Sequence, residues 1–70
     1  MKVQQRLGQE IRKRRRFLQL RQSDLADIAE VSLRSLIDIE RGNGNPTLEQ
    51  LDKITEVLGF EITLIVRSKN

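Results

Sequence analysis

The stretch from Gln22 to Gly42, QSDLADIAEVSLRSLIDIERG, leaves this chain few ways to fold. Leu25, Ala26, Ile28 and Ala29 are apolar, with Asp24, Asp27 and Glu30 set among them. Leu33, Leu36, Ile37 and Ile39 follow, and Ser32 stands directly in front of that second group. Leu25, Ala26 and Ala29 recur at i, i+1 and i+4, and Leu36 and Ile39 at i and i+3, so each short segment has one apolar face at the helical period. A Ser hydroxyl at position 32 can accept from the free backbone N–H groups of the next turn, which marks an N-cap. Ala26 is small enough for the second helix to cross close over the first. These features describe a helix-turn-helix, with helices over 22–29 and 33–41, whose second helix has the geometry to enter a major groove.

The flanks extend the pattern. Leu7, Ile11 and Leu18 mark the buried face of a first helix over 4–19. Arg14 falls on or beside that stripe, where its long stem can cover apolar surface while its head stays in water. RGNGNPT at 41–47 is rich in loop formers. Thr47 and Gln50 have the spacing of a capping box and open a helix over 48–58, with Leu48, Leu51, Ile54, Val57 and Leu58 on its core face and Gly59 at its end. The deepest core is expected at Leu25, Ala26, Leu36, Ile39, Leu51, Ile54 and Leu58. From Phe60 the period changes to two: FEITLIVR predicts a β-strand over 60–67, ~26 Å long at ~3.3 Å per residue. Nothing else in the chain reads as a strand, so its unpaired backbone groups would invite another chain. Antiparallel pairing with a second copy would place Phe60, Ile62, Leu64 and Val66 on the helices beneath, as the interface of a homodimer. A frayed tail, or a strand that pairs only with a partner protein, are the alternatives.

Seventy residues make one domain, 1–70, near the lower size limit for a single core. The chain has neither Cys nor His, so no disulfide or zinc can brace it, and oligomerisation is the ordinary device that remains. No apolar run approaches the ~20 residues of a membrane span, and no signal peptide is visible; a soluble cytoplasmic protein is the expectation. The net charge is only +3, but residues 1–21 hold eight Lys/Arg against Glu10 alone, while residues 22–70 hold five Lys/Arg against nine Asp/Glu. One basic end on a small domain is the electrostatic footprint of a phosphate-backbone binder, although a solvated basic helix face would look the same. Two Phe with no Tyr or Trp cannot supply the stacked aromatic platforms of a single-strand binder, and Phe17 is expected to pack. The G-x-G at 42–44 follows a helix and lacks a preceding strand, so it does not read as a nucleotide loop. Without His, Cys or Tyr, and without room for a substrate pocket, the chain is not expected to be an enzyme or to carry a cofactor, metal or small-molecule substrate.

Gln22, Leu25-Ala26, Val31-Ser32, Leu36, Ile39-Glu40-Arg41-Gly42 and Asn45-Pro46-Thr47-Leu48 resemble the Cro/phage-repressor (XRE-type) family of DNA-binding domains, from about Leu7 to Gly59. The resemblance implies a mostly α fold of four to five helices that binds a palindromic double-stranded operator as a homodimer and represses transcription. Two positions depart from it: Glu30 occupies the usual turn glycine, and Arg21 the usual capping Thr or Ser. The resemblance also implies that Arg15 pairs with Glu40 and ties the first helix to the third; otherwise Arg15 is one more surface charge in KRRR. It assigns phosphate contacts to Arg21, Gln22, Ser32, Arg41, Asn43 and Asn45, and base contacts to Leu33, Arg34 and Asp38. Chemically, Arg34 can be bidentate to guanine, Leu33 can pack on a thymine methyl, and Asp38 can accept from cytosine. Asp38 could equally hold Arg34 in place across one helical turn. The stretch RGNGNPTLEQLDKITEVLGFEI, with a strand after it, is similar to the antitoxins of bacterial Hip (high-persistence) toxin–antitoxin modules. That similarity implies an autorepressor that also binds a toxin of kinase fold. The alternative is an adaptor whose main task is to neutralise a partner protein, with DNA binding secondary.

Overall fold

The computed structural model describes residues 2–68; the expected domain, 1–70, extends past them to residues 1, 69 and 70, which lie outside the described residues. Four helices follow in order: α1 Val3–Phe17, α2 Gln22–Ala29, α3 Leu33–Glu40 and α4 Leu48–Leu58.

All four helices stop in the same way. A residue with positive φ follows the last turn at Gln19 (60°), Glu30 (58°), Gly42 (77°) and Gly59 (76°). The amide after it reaches back to a carbonyl in the preceding turn: Leu20 N to Arg15 O, Val31 N to Ala26 O, Asn43 N to Asp38 O and Phe60 N to Thr55 O. This is the left-handed C-terminal stop that glycine favours, yet here half of the stops lack glycine. The first of them ends α1 at Phe17, two residues before the bound suggested by periodicity. At the starts, Ser32 Oγ accepts from Ser35 N at 3.0 Å, and Thr47 with Gln50 forms the reciprocal capping box, each bond 3.0 Å. Arg21 offers no side-chain acceptor to α2, since a guanidinium only donates. Its backbone N–H instead donates to Asp24 Oδ2 at 2.9 Å, one half of a capping box.

The core lies where the four helices meet. Ile11 from α1, Leu25, Ala26 and Ala29 from α2, Leu36 and Ile39 from α3, and Ile54 and Leu58 from α4 are buried together. Leu51, expected among the deepest, is only partly buried beside Leu7, Val31 and Val57, while Ile11 and Ala29 take deep places. Leu48 and Phe17 are exposed. Leu48 is the first residue of α4, beyond the reach of the other helices. Phe17, expected to pack, lies on the outer side of α1, largely exposed, with the Arg14 guanidinium near its ring.

The strand is also corrected. Residues 60–68 hold no strand, and among the described residues there is none anywhere. The expected alternation survives only at its start: Phe60 and Ile62 retain partial cover, whereas Leu64 and Val66 are 99% and 96% exposed. A ladder needs a second strand, and the described residues of one copy offer none. The expected packing of Phe60, Ile62, Leu64 and Val66 on the helices therefore reaches only the first two. Among the described residues no helix is long and apolar enough to cross a membrane.

Candidate nucleic-acid interface

Helix α3 is held from one side. Leu36, Ile39 and Glu40 face inward and are buried, which turns Leu33, Arg34, Ile37 and Asp38 outward. Its C-terminal end is fixed by a buried ion pair. Arg15 Nε donates to Glu40 Oε2 at 2.7 Å and Nη2 donates to Oε1 at 2.9 Å, with side chains only 9% and 2% exposed. Arg15 Nη1 donates to Leu20 O at 2.8 Å, and Gln22 Nε2 donates to Glu40 Oε1 at 3.2 Å. The pair implied for Arg15 is thus present, and it joins α1, the α1–α2 turn, the start of α2 and the end of α3. The hydrogen bonds from Arg15 to Glu40 raise the guanidinium above its ordinary pKa against the opposing cost of burial, so Arg15 stays charged. Two parallel bonds fix orientation as well as distance.

Gly8 completes this junction. A methyl group there would collide with the backbone carbonyls of Ile39 and Glu40. α1 therefore crosses the last turn of α3 at backbone contact, and the missing side chain is what lets Arg15 reach Glu40.

The outward face carries the residues named for base contact. Arg34 is exposed and its Nε lies 3.6 Å from Asp38 Oδ2, one turn along the helix. Asp38 thus stands within ion-pair reach of Arg34, as an i,i+4 partner does. Leu33 is exposed in the first turn. Among the residues named for phosphate contact, the structure separates two kinds. Arg41, Asn43 and Asn45 are exposed on the α3–α4 loop. Asn43 and Asn45 border a cleft of about 120 Å³ that continues onto Ser35, Asp38 and Ile39 of α3 and Gln50 of α4. Arg21, Gln22 and Ser32 are already engaged. The Arg21 guanidinium bonds Asp24 at 3.1 Å through both Nε and Nη2, Gln22 bonds Glu40, and the Ser32 hydroxyl donates to Ser35 Oγ at 2.7 Å.

Comparison with known proteins fits this geometry. The helix-turn-helix family profile matches residues 11–65, which covers the C-terminal part of α1 from Ile11, together with α2, the turn, α3 and α4. The chain belongs to the helix-turn-helix family. It is 38% identical over 60 residues to an immunity repressor protein of Bacillus phage phi105, across 86% of this chain and 42% of that protein. It is 39% identical over 57 residues to the HTH-type transcriptional regulator DdrOP3 of Deinococcus deserti, across 81% of this chain and 44% of that protein. The chain thus spans less than half the length of these relatives.

Gly8 carried no signal in the sequence, whereas the Arg15 pair was implied by the family resemblance and Arg14 was placed beside the apolar stripe without its partner. Gly8 looks like a mild helix breaker until the carbonyls beside it are seen. The basic run KRRR looks like one charged patch, but Arg15 is buried and neutralised, and Arg14 turns toward α4. Arg14 Nε donates to Leu58 O at 2.8 Å, and its guanidinium lies 5.2 Å from the Phe17 ring centre and 6.0 Å from that of Phe60. The basic face left to solvent on α1 is therefore Arg6, Arg12, Lys13 and Arg16, narrower than the composition of residues 1–21 suggests.

Proposed function

We propose that the chain binds double-stranded DNA in a sequence-specific way, as a homodimer on a palindromic operator, and represses transcription, including that of its own gene. The observation that carries this reading is the one-sided packing of α3. Its inner face is held by Leu36, Ile39 and Glu40, and its outer face presents Leu33, Arg34 and Asp38, the last two within ion-pair reach of each other. A helix so held can lie in a major groove while its first-turn N–H groups face a phosphate. The names of the relatives, a repressor and a transcriptional regulator, support the same reading.

The division of labour follows from the side chains. Arg34 addresses guanine, Leu33 a thymine methyl, and Asp38 either accepts from cytosine or sets the angle of Arg34. Arg41, Asn43 and Asn45 approach the backbone from the loop, and Arg21, Gln22 and Ser32 do so at helix starts. The six named residues fix position and carry no sequence information. Dimerisation falls to Phe60, Ile62, Leu64 and Val66, whose apolar side chains are exposed in one copy and would find an antiparallel partner in the second. An open cleft of about 310 Å³ between this segment and Leu7, Ile11 and Thr55 leaves room for side chains from another copy.

The test is a titration of fluorescent duplexes at several salt concentrations, with an operator first selected from a random pool. Counterion release from bound phosphates gives a steep fall of affinity with salt. Affinity that hardly changes with salt, or no preference for the selected duplex, would refute DNA recognition.

A second reading is favoured by the same exposed tail. Ile62, Leu64, Ile65 and Val66 offer exposed apolar groups in succession, which suits burial against a different protein, as in a Hip-type antitoxin seated on a kinase-fold toxin. Co-purification with the product of the adjacent reading frame, lost on truncation after Gly59, would support it.

A further inference from the structure

Arg14 occupies a position that the apolar stripe of α1 would assign to a hydrophobic side chain, and its contacts explain why a cation stands there. Its Nε donates to Leu58 O at 2.8 Å, in the last turn of α4, where carbonyls lack partners and the helix dipole favours positive charge. Its guanidinium lies 5.2 Å from the Phe17 ring centre and 6.0 Å from that of Phe60, within the range of cation–π attraction. Its Nη2 lies 3.5 Å from where a side chain on Gly59 would begin. One side chain therefore meets the last turn of α4, the left-handed residue that ends it and the first residue of the exposed tail. Phe60 is held further by its N–H, which donates to Thr55 O at 2.9 Å, and by partial cover on the helices.

We propose that Arg14 is a positioning residue that sets the direction in which the apolar segment 60–66 leaves the domain, and so the angle between two paired copies. This rests on the reading of that segment as the subunit interface. If two tails pair across a two-fold axis, the two α3 helices are separated by a distance that depends on how each tail leaves α4. A planar guanidinium that bonds a carbonyl and stands within cation–π range of two rings fixes that exit in a way an aliphatic side chain cannot. Phe17, exposed and distant from the core, then has a role as one of those rings.

The absence of cysteine makes the test direct. Asp27→Cys places a single nitroxide on the exposed side of α2 in the full chain, and pulsed dipolar spectroscopy reads the distance between labels in the two copies. The parent should give one narrow distance. Arg14→Met should shift and broaden it while the protein still sediments as a dimer, and Arg14→Lys, which keeps a donor for Leu58 O, should fall between. Phe17→Leu should broaden it in the same sense. Should Arg14→Met fail to fold by circular dichroism, Phe17→Leu alone decides. Variants that melt earlier but keep the parent distance distribution would overturn the positioning role and leave the paired tail intact. A parent without any intersubunit distance would overturn the paired tail, and this inference with it.

Discussion

Arg15 and Glu40, twenty-five residues apart, meet in a bidentate pair with bonds of 2.7 and 2.9 Å that is almost closed to water. The carboxylate takes three hydrogen bonds in all, one of them from Gln22. Taking two charges out of water is costly, and such a pair adds little net stability over apolar residues of the same size. Its value lies in direction: it fixes the end of α3 against α1 and the start of α2. Loss of one partner strands the other charge, so Arg15→Ala should cost about 3–5 kcal/mol. Urea melts followed by circular dichroism measure this. A loss under about 1 kcal/mol would mean that water reaches Glu40 freely.

Gly8→Ala separates two principles that act with opposite signs. Helix propensity favours Ala over Gly by about 1 kcal/mol in a helix interior. The carbonyls of Ile39 and Glu40 leave no room for the methyl, and overpacking against rigid backbone costs about 1–3 kcal/mol. The substitution should therefore destabilise, and a raised midpoint in the same melt would show that α1 and α3 sit further apart.

Glu30→Gly should act in the other direction. Glu30 holds φ at 58° to end α2, a conformation that costs a side-chain-bearing residue about 1–2 kcal/mol. Relief of that strain, less the added freedom of glycine in the unfolded chain, should give a gain of up to about 1 kcal/mol. An unchanged or lower thermal midpoint would contradict this.

Much of the fold was legible before any coordinates. The caps at Ser32 and Thr47, the stop at Gly59 and the inward faces of α2 and α3 follow from local chemistry, which acts over one or two turns. The junction of Gly8 with the end of α3 was not legible, because it depends on two carbonyls more than thirty residues away and leaves no pattern in side chains. Arg14 was half legible: its place beside the apolar stripe was clear, but the carbonyl it bonds belongs to another helix. The alternation after Phe60 is a real feature of the sequence, yet a strand is a property of a pair, and the described residues of one copy offer no second strand. The set Leu33, Arg34 and Asp38 came from the family resemblance, and the period of α3 agrees with it, since burial of Leu36 and Ile39 leaves these three outside.

Acid should weaken the start of α2. Hydrogen bonds from the Arg21 side chain, and then from its backbone N–H, lower the pKa of Asp24 below its ordinary 3.8. A carboxylate depressed on folding lends stability above its unfolded value and loses it as pH falls through the folded one. The contribution is therefore whole at neutral pH and fades below about pH 4. Asp24→Asn should flatten that part of the stability–pH curve and leave the curve above pH 5 parallel to the parent. Equal acid sensitivity in both proteins would locate the effect elsewhere.

Removal of the tail tests the dimer. Truncation after Gly59 should leave a folded four-helix monomer, because Phe60 and Ile62 are the only tail residues with appreciable cover among those expected at the interface. Analytical sedimentation at matched concentrations compares the two lengths. A truncated protein that stays dimeric would place the interface on the helices.

The most direct measurement is the binding of the parent and of Arg34→Ala to the selected operator and to random duplex under one salt condition. Arg34 is 81% exposed on α3, within ion-pair reach of Asp38, so its loss should leave the fold intact. The expected result is a loss of about 1–3 kcal/mol on the operator, relaxed preference at a single base pair, and a much smaller change on random duplex. Equal losses on both duplexes would reduce Arg34 to a phosphate contact, and no loss on either would contradict the placement of α3 in the groove.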